Sequence, residues 1–486
     1  MVFYFRSLGG DMEAAGEDLV SQLRRVLYRN QVELEPAAKI GYSKRDALHD
    51  SRDTLAYLSK MLLEDEGEGE ADSAQQQKPS FQGLFDELSA IVSPSESSDS
   101  STEGSDQSSG FEVNLGRTTD IHSSLMECAR AVAANNVAGF YDLARDIRDA
   151  VALQSTPLQK VARFLIDALA ARLAGTGPQA YRAISAGISS RMLVADARLP
   201  LFAIVVNFAN DVILRACAGA NKVHIIDYGV HCGRQWPSLI KAFSVRPEGP
   251  PQLKITGIDL VTVPEAFVAG QRLAAFARSN GVQLEYCSIQ SNSWESVQPV
   301  TLANELLVVN SNMSLQHMRD EWISVNNPRR LLFESIYKMR PKVFVMCVSN
   351  ASFSSPFFIP KFDETLKHFT AKMECLDAWL GWDSIGDRDL VEKVFQRAIT
   401  SVVACDGLEQ LERPDKYRTW DSRAKRAGFQ PFLVGEEVYE RMKSQWGGYA
   451  CNKNFGCGKD ENWMLLGWKD VILCGMSAWE TKAQVL

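Results

Sequence analysis

The sequence predicts an α/β protein in which a doubly wound, mostly parallel sheet follows a bundle of helices, with an acidic arm in front. The first observation is that apolar runs of strand length alternate with amphipathic helical patterns after residue 220, the order expected of a parallel sheet covered by helices. The second is a strand, a glycine turn and a helix start within Asn221 to Phe243. The third is helical spacing of apolar side chains across residues 119–216.

Residues 1–118 form an acidic arm that we predict to be disordered. The arm contains 11 Lys/Arg and 22 Asp/Glu, whereas the rest of the chain contains 41 and 38, so the body is close to neutral. The segment Ser93 to Ser109 has no large apolar residue, so it cannot bury enough surface to offset the entropy lost on ordering. Its serines beside acids are candidate phosphorylation sites, and a solvated linker is the equal alternative.

Two short amphipathic segments interrupt the arm, at residues 53–66 and 80–92. In the second segment, the bulky apolar side chains on one helical face include Phe81, Leu84, Phe85 and Leu88. Helices this short are marginal alone and need a groove to fold into. Acidic segments with spaced bulky apolar residues are typical of activation domains, so we expect docking on a coactivator. Packing of these segments on the body of the protein is the alternative.

Residues 119–216 are predicted to form a helical cap before the sheet. Apolar side chains at helical spacing form stripes that begin at Ile121, Phe140 and Leu158, and a further apolar helix covers Leu199 to Ala216. The stripes are too short for leucine zippers, since a coiled coil needs three or four sustained heptads. Packing within a helical bundle is therefore the preferred interpretation, and a contribution to partner binding stays open.

The central stretch has the layout of a nucleotide-binding unit. The β-branched run before Asp227 predicts a buried parallel strand, and glycines follow at Gly229 and Gly233. A second apolar strand ends in Asp259, where such folds hold a ribose hydroxyl. The spacing is similar to that of S-adenosylmethionine methyltransferases, but His231 replaces the middle glycine that lets the backbone approach the cofactor. We therefore predict a methyltransferase-like scaffold with a degenerate pocket and no cofactor.

Helices and strands alternate through the rest of the chain. Strands are predicted at Leu284 to Ile289, Glu305 to Asn310 and Val343 to Val348, and helices at Ala266 to Asn280, Phe362 to Leu380, Asp387 to Cys405 and from Pro328 to before Pro341. In the helix that begins at Pro328, we expect Leu331, Ile336 and Met339 to face inward. The run Trp463 to Trp479 predicts a terminal antiparallel hairpin.

Chemical motifs are sparse. After Asn310, the sequence lacks the Asn/Asp-Pro-Pro-aromatic motif of amino-group methyltransferases, and it contains no GxSxG, HExxH or P-loop pattern. His224 lies inside a predicted strand, and we interpret it as a core residue. The ten cysteines are scattered without a CxxC pair, which favours reduced buried thiols over a zinc site. We also expect no signal peptide and no membrane span, hence a soluble intracellular protein.

Basic residues cluster once, within a single segment near the carboxyl end. The cluster consists of Arg413, Lys416, Arg418, Arg423, Lys425 and Arg426. Phosphate contact with DNA, nuclear import or contact with a partner is one interpretation. Because Asp415 and Asp421 lie among these residues, a solvated helix face with local ion pairs is the alternative.

The run VHIID at 223–227 is followed by Gln235, Trp236 and Pro237. These residues look like the signature of the GRAS family of plant transcriptional regulators, and the motifs together resemble its scarecrow-like branch. Other blocks follow the family order, namely Arg172 to Gly177 in a first leucine-rich region, Phe276 to Ile289 in a second, Pro341 to Val343 with Pro356 to Phe358 in a PFYRE region, and Ser477 to Trp479 in a SAW region. Departures occur at His231, Cys232, Phe358 and Lys361, and they bear on partner preference.

The resemblance implies a domain organisation within residues 119–486. Its regions are a helical cap with the first leucine-rich region at 119–216, the VHIID region at 217–260, the second leucine-rich region at 266–300, the PFYRE region at 305–405 and the SAW region at 406–486. It further implies a nuclear, non-enzymatic regulator that acts with other transcription factors or GRAS proteins, as a homo- or heterodimer, with direct DNA contact left open. An S-adenosylmethionine-dependent small-molecule methyltransferase is the alternative.

Overall fold

The structure is a computed structural model that describes residues 35–36, 121–151, 156–186, 188, 200–230, 233–260, 266–380, 385–449 and 453–482. The amphipathic segments 53–66 and 80–92 lie outside the described residues, as do His231 and Cys232. The predictions made for them stay predictions.

The helices of the described residues are numbered in chain order. They are α1 (Ile121–Ala133), α2 (Val137–Ala150), α3 (Pro157–Leu173), α4 (Gly177–Ala186), α5 (Pro200–Ala216), α6 (Trp236–Ser244), α7 (Ala266–Ser279), α8 (Pro328–Met339), α9 (Phe358–Leu380), α10 (Ile385–Ala404), α11 (Tyr417–Ala427) and α12 (Glu436–Tyr449). Short 3₁₀ turns occur at Trp294–Ser296, Leu315–His317 and Gly407–Glu409.

The strands of the described residues join into one sheet. They are β1 (Glu35–Pro36), β2 (Lys222–Tyr228), β3 (Gln252–Leu260), β4 (Leu284–Ser291), β5 (Leu306–Asn312), β6 (Val343–Ser349), β7 (Gln430–Pro431), β8 (Phe455–Asp460), β9 (Trp463–Trp468) and β10 (Val471–Glu480). Their order is β1-β8-β9-β10-β6-β5-β2-β3-β4, and β7 pairs with β10.

The sheet is doubly wound around β2. Strand β2 pairs in parallel with β3 on one side and with β5 on the other, and β4 and β6 extend the two parallel halves. Strand β10 then runs antiparallel between β6 and β9. This confirms the predicted α/β, methyltransferase-like sheet with a terminal hairpin.

Helices cover both faces of the sheet. One face packs its apolar side chains against α5, α6, α7 and α12, and the other packs against α8 and α11. Strand β6 is buried along its whole length, as a central parallel strand should be when helices cover both of its faces.

The predicted helical cap is present in part: α1, α2 and α3 form it, whereas α5, which was predicted to belong to it, packs its apolar side chains against the sheet. Buried side chains of α1, α2 and α3 pack with those of α9 and α10 in a separate apolar cluster. Helix α3 begins with a capping box, in which Thr156 Oγ1 accepts from the Gln159 backbone N–H at 3.3 Å and Gln159 Oε1 accepts from the Thr156 N–H at 3.1 Å. Pro157 follows at the first helical turn, where it removes no intrahelical hydrogen bond.

Two residues of the first leucine-rich motif join α3 and α4 to the end of α10. Arg172 donates from Nη1 to the Val403 carbonyl oxygen at 3.2 Å, which satisfies one carbonyl of the last turn of α10. Gly177 begins α4 directly against Ala404, and a Cβ at this position would collide with the Ala404 carbonyl oxygen. This motif therefore has a packing role in the cap.

The inward face of α8 differs in part from the predicted one. Ile336 is buried as expected, and Met339 is partly buried and packs against the same apolar cluster. Leu331 is only partly buried and does not belong to that cluster, so the prediction is wrong for Leu331. Leu332 and Phe333 are buried instead. Phe333 stacks on Trp420 of α11, with ring centroids 6.0 Å apart, and this contact with a distant segment sets the rotation of α8.

No helix among the described residues is long and apolar enough to cross a membrane.

Candidate functional site

The candidate site lies where the winding of the sheet reverses, at the carboxyl ends of β2, β3 and β5. From β2 the chain builds outward through β3 and β4, and it then returns to build β5 and β6 on the other side. In open α/β sheets, ligands bind in the crevice outside the strands at such a point. The structure places the predicted pocket residues Asp227 and Asp259 there, near the ends of β2 and β3.

The glycine turn after β2 has the conformation that its sequence requires. Gly229 has φ of 97° and Gly233 has φ of 72°, in the left-handed region where a residue with a Cβ is disfavoured. The Gly229 N–H donates to the Ile258 carbonyl oxygen at 2.9 Å, which fixes the turn beside β3. His231 and Cys232, between the two glycines, are outside the described residues, so the predicted effect of His231 on a cofactor stays a prediction.

A network of carboxamide side chains lies at this edge of the sheet. Asn310 of β5 donates from Nδ2 to Asp227 Oδ1 at 2.7 Å and to Gln235 Oε1 at 3.1 Å. Gln235 in turn donates from Nε2 to Asn210 Oδ1 at 3.1 Å. Asn312 donates to Gln235 Oε1 at 3.2 Å. The end of β2 is thus bonded, through side chains of the protein itself, to β5 and to α5.

Burial changes the charge of Asp227. Its side chain is buried, and burial raises its pKa to about 8, with the hydrogen bond from Asn310 opposing this rise and the nearby Asp259 adding to it. At neutral pH the acid is therefore mostly protonated. A protonated acid in a network of amides is suited to holding strand ends together. Among the described residues, no group of side chains could hold a metal ion.

His224 is a core residue, as expected. It is fully buried, and its Nε2 lies 2.8 Å from Thr256 Oγ1 on the neighbouring strand. Its Nδ1 lies 3.3 Å from a carboxylate oxygen of Glu305. Burial lowers the pKa of His224, and Glu305 opposes that shift.

The amide network has a signal in the sequence that none of the motifs described above includes. Asn310 and Asn312 end a strand whose other residues are mostly apolar, and Gln235 precedes the first residue of α6. A carboxamide that ends an apolar strand at a switch point has to find partners there, because a buried polar group without a hydrogen bond is costly.

The basic cluster divides into buried and exposed members. Arg413 is 4% exposed, and its Nη1 lies 2.8 Å from a carboxylate oxygen of Asp320. Arg423 makes ion pairs with Asp415 at 2.7 Å and with Glu321 at 2.8 Å. Because these carboxylates already hold the two guanidinium groups, Arg413 and Arg423 drop out of the predicted set of DNA or partner contacts.

Asp415 is the centre of a buried ion cluster, which we call the Asp415 cluster and which consists of Arg329, Ser354, Asp415 and Arg423. Arg329 donates from Nη1 to Asp415 Oδ2 at 2.6 Å and is completely buried. Ser354 donates to the other carboxylate oxygen. Burial alone would raise the pKa of Asp415, but Arg329 and Arg423 more than offset it and hold that pKa below its usual value.

The other basic residues lie nearer the surface, mostly in local ion pairs. Lys416 pairs with Glu364, Arg418 lies 2.9 Å from Asp460, and Lys425 lies 2.9 Å from Asp421 and 2.7 Å from Glu461. Arg426 is exposed and pairs with no residue that the structure describes. These contacts agree with the alternative of a helix face with local ion pairs.

Comparisons with known proteins agree with the motifs. The model of the GRAS domain family matches residues 121–480. Scarecrow-like protein 14 of Arabidopsis thaliana is 36% identical over 383 residues, which cover 74% of this chain and 49% of that protein. Scarecrow-like transcription factor PAT1 of the same species is 30% identical over 401 residues, covering 78% of this chain and 81% of that protein.

A solved structure shares the fold. The crystal structure of SCL7 in Oryza sativa superposes with a TM-score of 0.60 at 24% identity, covering 74% of this chain and 99% of that one. The chain spans about half the length of the first curated relatives it matches. Since the family model covers most of the chain, from the cap helices to β10, the chain belongs to the GRAS domain family.

Proposed function

We propose that this protein is a transcriptional regulator that acts by binding other proteins and catalyses no reaction. The observation that carries the proposal is the hydrogen bond from Asn310 to Asp227, because it engages the acid at the switch point from within the protein. A cofactor that needed an ionised acceptor would meet a mostly protonated, buried acid there. A relative named as a transcription factor, PAT1, supports the regulatory role.

The acidic arm supplies the activation segment in this proposal. Residues 80–92 carry the apolar stripe that water disfavours, and Asp86 and Glu87 keep the segment soluble and steer it toward basic grooves. Each large side chain buried in a coactivator groove contributes roughly 1.5–3 kcal/mol, less the free energy of ordering the segment. The balance suits a reversible contact of micromolar affinity.

In this proposal, the body of the protein, residues 119–486, makes the contacts that determine the target. We propose that it binds other transcription factors or GRAS proteins in the nucleus, as a homo- or heterodimer. Any direct contact with DNA falls to Lys416, Arg418, Lys425 and Arg426. Because these are few and mostly paired with acids, such a contact would be weak and would weaken further as salt rises.

A reporter assay tests the activation segment. Residues 53–92 are fused to an unrelated DNA-binding domain, and Phe81, Phe85 and Leu88 are changed together to alanine. We expect most of the reporter signal to be lost, because the triple change removes most of the apolar stripe. Changing Gln82 and Ser89 to alanine, which leaves the stripe intact, is the matched control and should preserve the signal.

Circular dichroism of the purified full chain with the same substitutions completes the test. The helix and strand content of the body should be the same in the parent, the triple variant and the control. Full reporter activity in the triple variant would refute the docking role. A full-length triple variant that loses the fold of the body would show instead that the stripe packs as part of the core.

A further inference from the structure

The loop between the 3₁₀ turn after β5 and helix α8 displays two large apolar side chains. Trp322 is 57% exposed and Val325 is fully exposed. Tryptophan is enriched among the residues that dominate the affinity of protein interfaces, since it buries a large area with few rotatable bonds. An exposed tryptophan and an exposed valine on the same loop therefore indicate an anchor for a partner segment.

Buried charges fix this loop in place. Asp320 is completely buried, and its Oδ1 accepts from the Trp322 backbone N–H at 3.1 Å while its Oδ2 lies 2.8 Å from Arg413 Nη1. The next residue, Glu321, accepts from Arg423 of α11 at 2.8 Å. Trp322 is thus displayed on a loop whose base is tied to the segment 413–423, so little entropy remains to be lost there on binding.

Two exposed arginines lie on this loop and on the helix that holds it. Arg319, at the start of the loop, and Arg426, one turn beyond Arg423 on α11, are both exposed, and neither pairs with a residue that the structure describes. We call Arg319, Trp322, Val325 and Arg426 the Trp322 surface. Its chemistry fits a short segment that carries bulky apolar side chains next to acids.

The chain itself contains such a segment. Residues 80–92 combine Phe81, Phe85 and Leu88 with the acids Asp86 and Glu87. They are joined to α1 through residues 93–120, and a random coil of that number of residues has an end-to-end distance of about 30 Å. A tether of this length gives an effective concentration in the millimolar range, so even a contact with a dissociation constant of tens of micromolar would be mostly formed.

We propose that residues 80–92 dock in cis on the Trp322 surface when no coactivator is bound. The apolar stripe covers Trp322 and Val325, and Asp86 and Glu87 face Arg319 and Arg426. The same stripe cannot contact a coactivator at the same time, so the docked state holds the activation segment inactive. A partner that binds the body at the Trp322 surface would release the segment. The docking itself does not depend on the proposed function, because it is a property of the purified chain.

Amide hydrogen exchange of the purified full chain tests the docking. We expect the amides of residues 80–92 to exchange at least about ten-fold more slowly in the parent than in Trp322→Ala, consistent with the effective concentration set by the tether. Leu433→Ala is the matched control, because Leu433 is also exposed, at 88%, on a loop outside the Trp322 surface. That control should exchange like the parent.

Charge reversal and dilution separate the possible outcomes. Changing Arg319 and Arg426 to glutamate should remove the protection, and adding Asp86→Lys with Glu87→Lys should restore it. A ten-fold dilution should leave the protection unchanged. Rapid exchange of residues 80–92 in the parent, or equal protection in Trp322→Ala, would overturn the proposal. Protection lost on dilution would overturn it too, because the occupant would then be the arm of a second copy.

Discussion

Replacing Asp415 with alanine is expected to lower the free energy of unfolding by about 3–5 kcal/mol, the usual effect of removing one partner from a buried ion cluster. The carboxylate compensates two guanidinium groups, those of Arg329 at 2.6 Å and Arg423 at 2.7 Å. Arg329 is completely buried, so without Asp415 its charge would lose its carboxylate partner in the protein interior. Urea titration of the purified variant, followed by circular dichroism, measures the change.

Glu461→Ala is the control for this experiment. Glu461 also pairs with a basic residue of α11, Lys425, at 2.7 Å, but its side chain is 67% exposed. Exposed ion pairs contribute little, so we expect a change within about 0.5 kcal/mol. Equal effects of the two substitutions would contradict the assignment of Asp415 as the centre of a buried cluster.

Replacing Asp227 with asparagine is expected to make the protein less sensitive to rising pH. Because burial raises the pKa of Asp227 to about 8 in the folded state, the folded protein keeps a proton that the unfolded chain releases above the ordinary carboxyl pKa. The contribution of Asp227 to the free energy of unfolding is therefore complete below the ordinary carboxyl pKa. It falls by up to about 1.4 kcal/mol per pH unit as the pH rises to the folded-state pKa of about 8. Asparagine keeps a donor at the same place without titrating.

Unfolding free energies of the parent and Asp227→Asn at pH 5, 6, 7 and 8 check this expectation. The variant should gain stability relative to the parent as the pH rises. Asp142→Asn is the control, since Asp142 is 72% exposed, and it should track the parent at every pH. A constant difference between Asp227→Asn and the parent would mean that Asp227 is ionised in the folded protein throughout this range.

Much of the fold could be predicted because it follows from local spacing. The stripes that begin at Ile121, Phe140 and Leu158 became α1, α2 and α3, and the run Trp463 to Trp479 became the hairpin of β9 and β10. Helical and strand periodicity are local properties of the chain, so a single sequence carries them. The inward position predicted for Leu331 of α8 was wrong because the contact of Phe333 with Trp420 decides the rotation of that helix. This contact joins residues far apart in sequence.

The basic cluster shows where residue types mislead. Because arginine is rarely buried fully, the residue type predicted that Arg413 and Arg423 lie at the surface. Their burial depends on Asp320, Glu321 and Asp415, two of which lie on a loop about a hundred residues away. Such pairing across the chain leaves no periodic signal. The switch-point acids could be predicted, because the strand–turn–helix layout places Asp227 and Asp259 by itself.

Titration calorimetry of the full chain with S-adenosylmethionine tests the central claim most directly. That claim is that the site at the carboxyl ends of β2, β3 and β5 serves to hold the strands together and takes no methyl donor. We expect no saturable heat up to about 1 mM ligand, which bounds any binding free energy near −4 kcal/mol. A one-to-one dissociation constant of about 1 µM, or about −8 kcal/mol, would contradict the account and favour a methyltransferase.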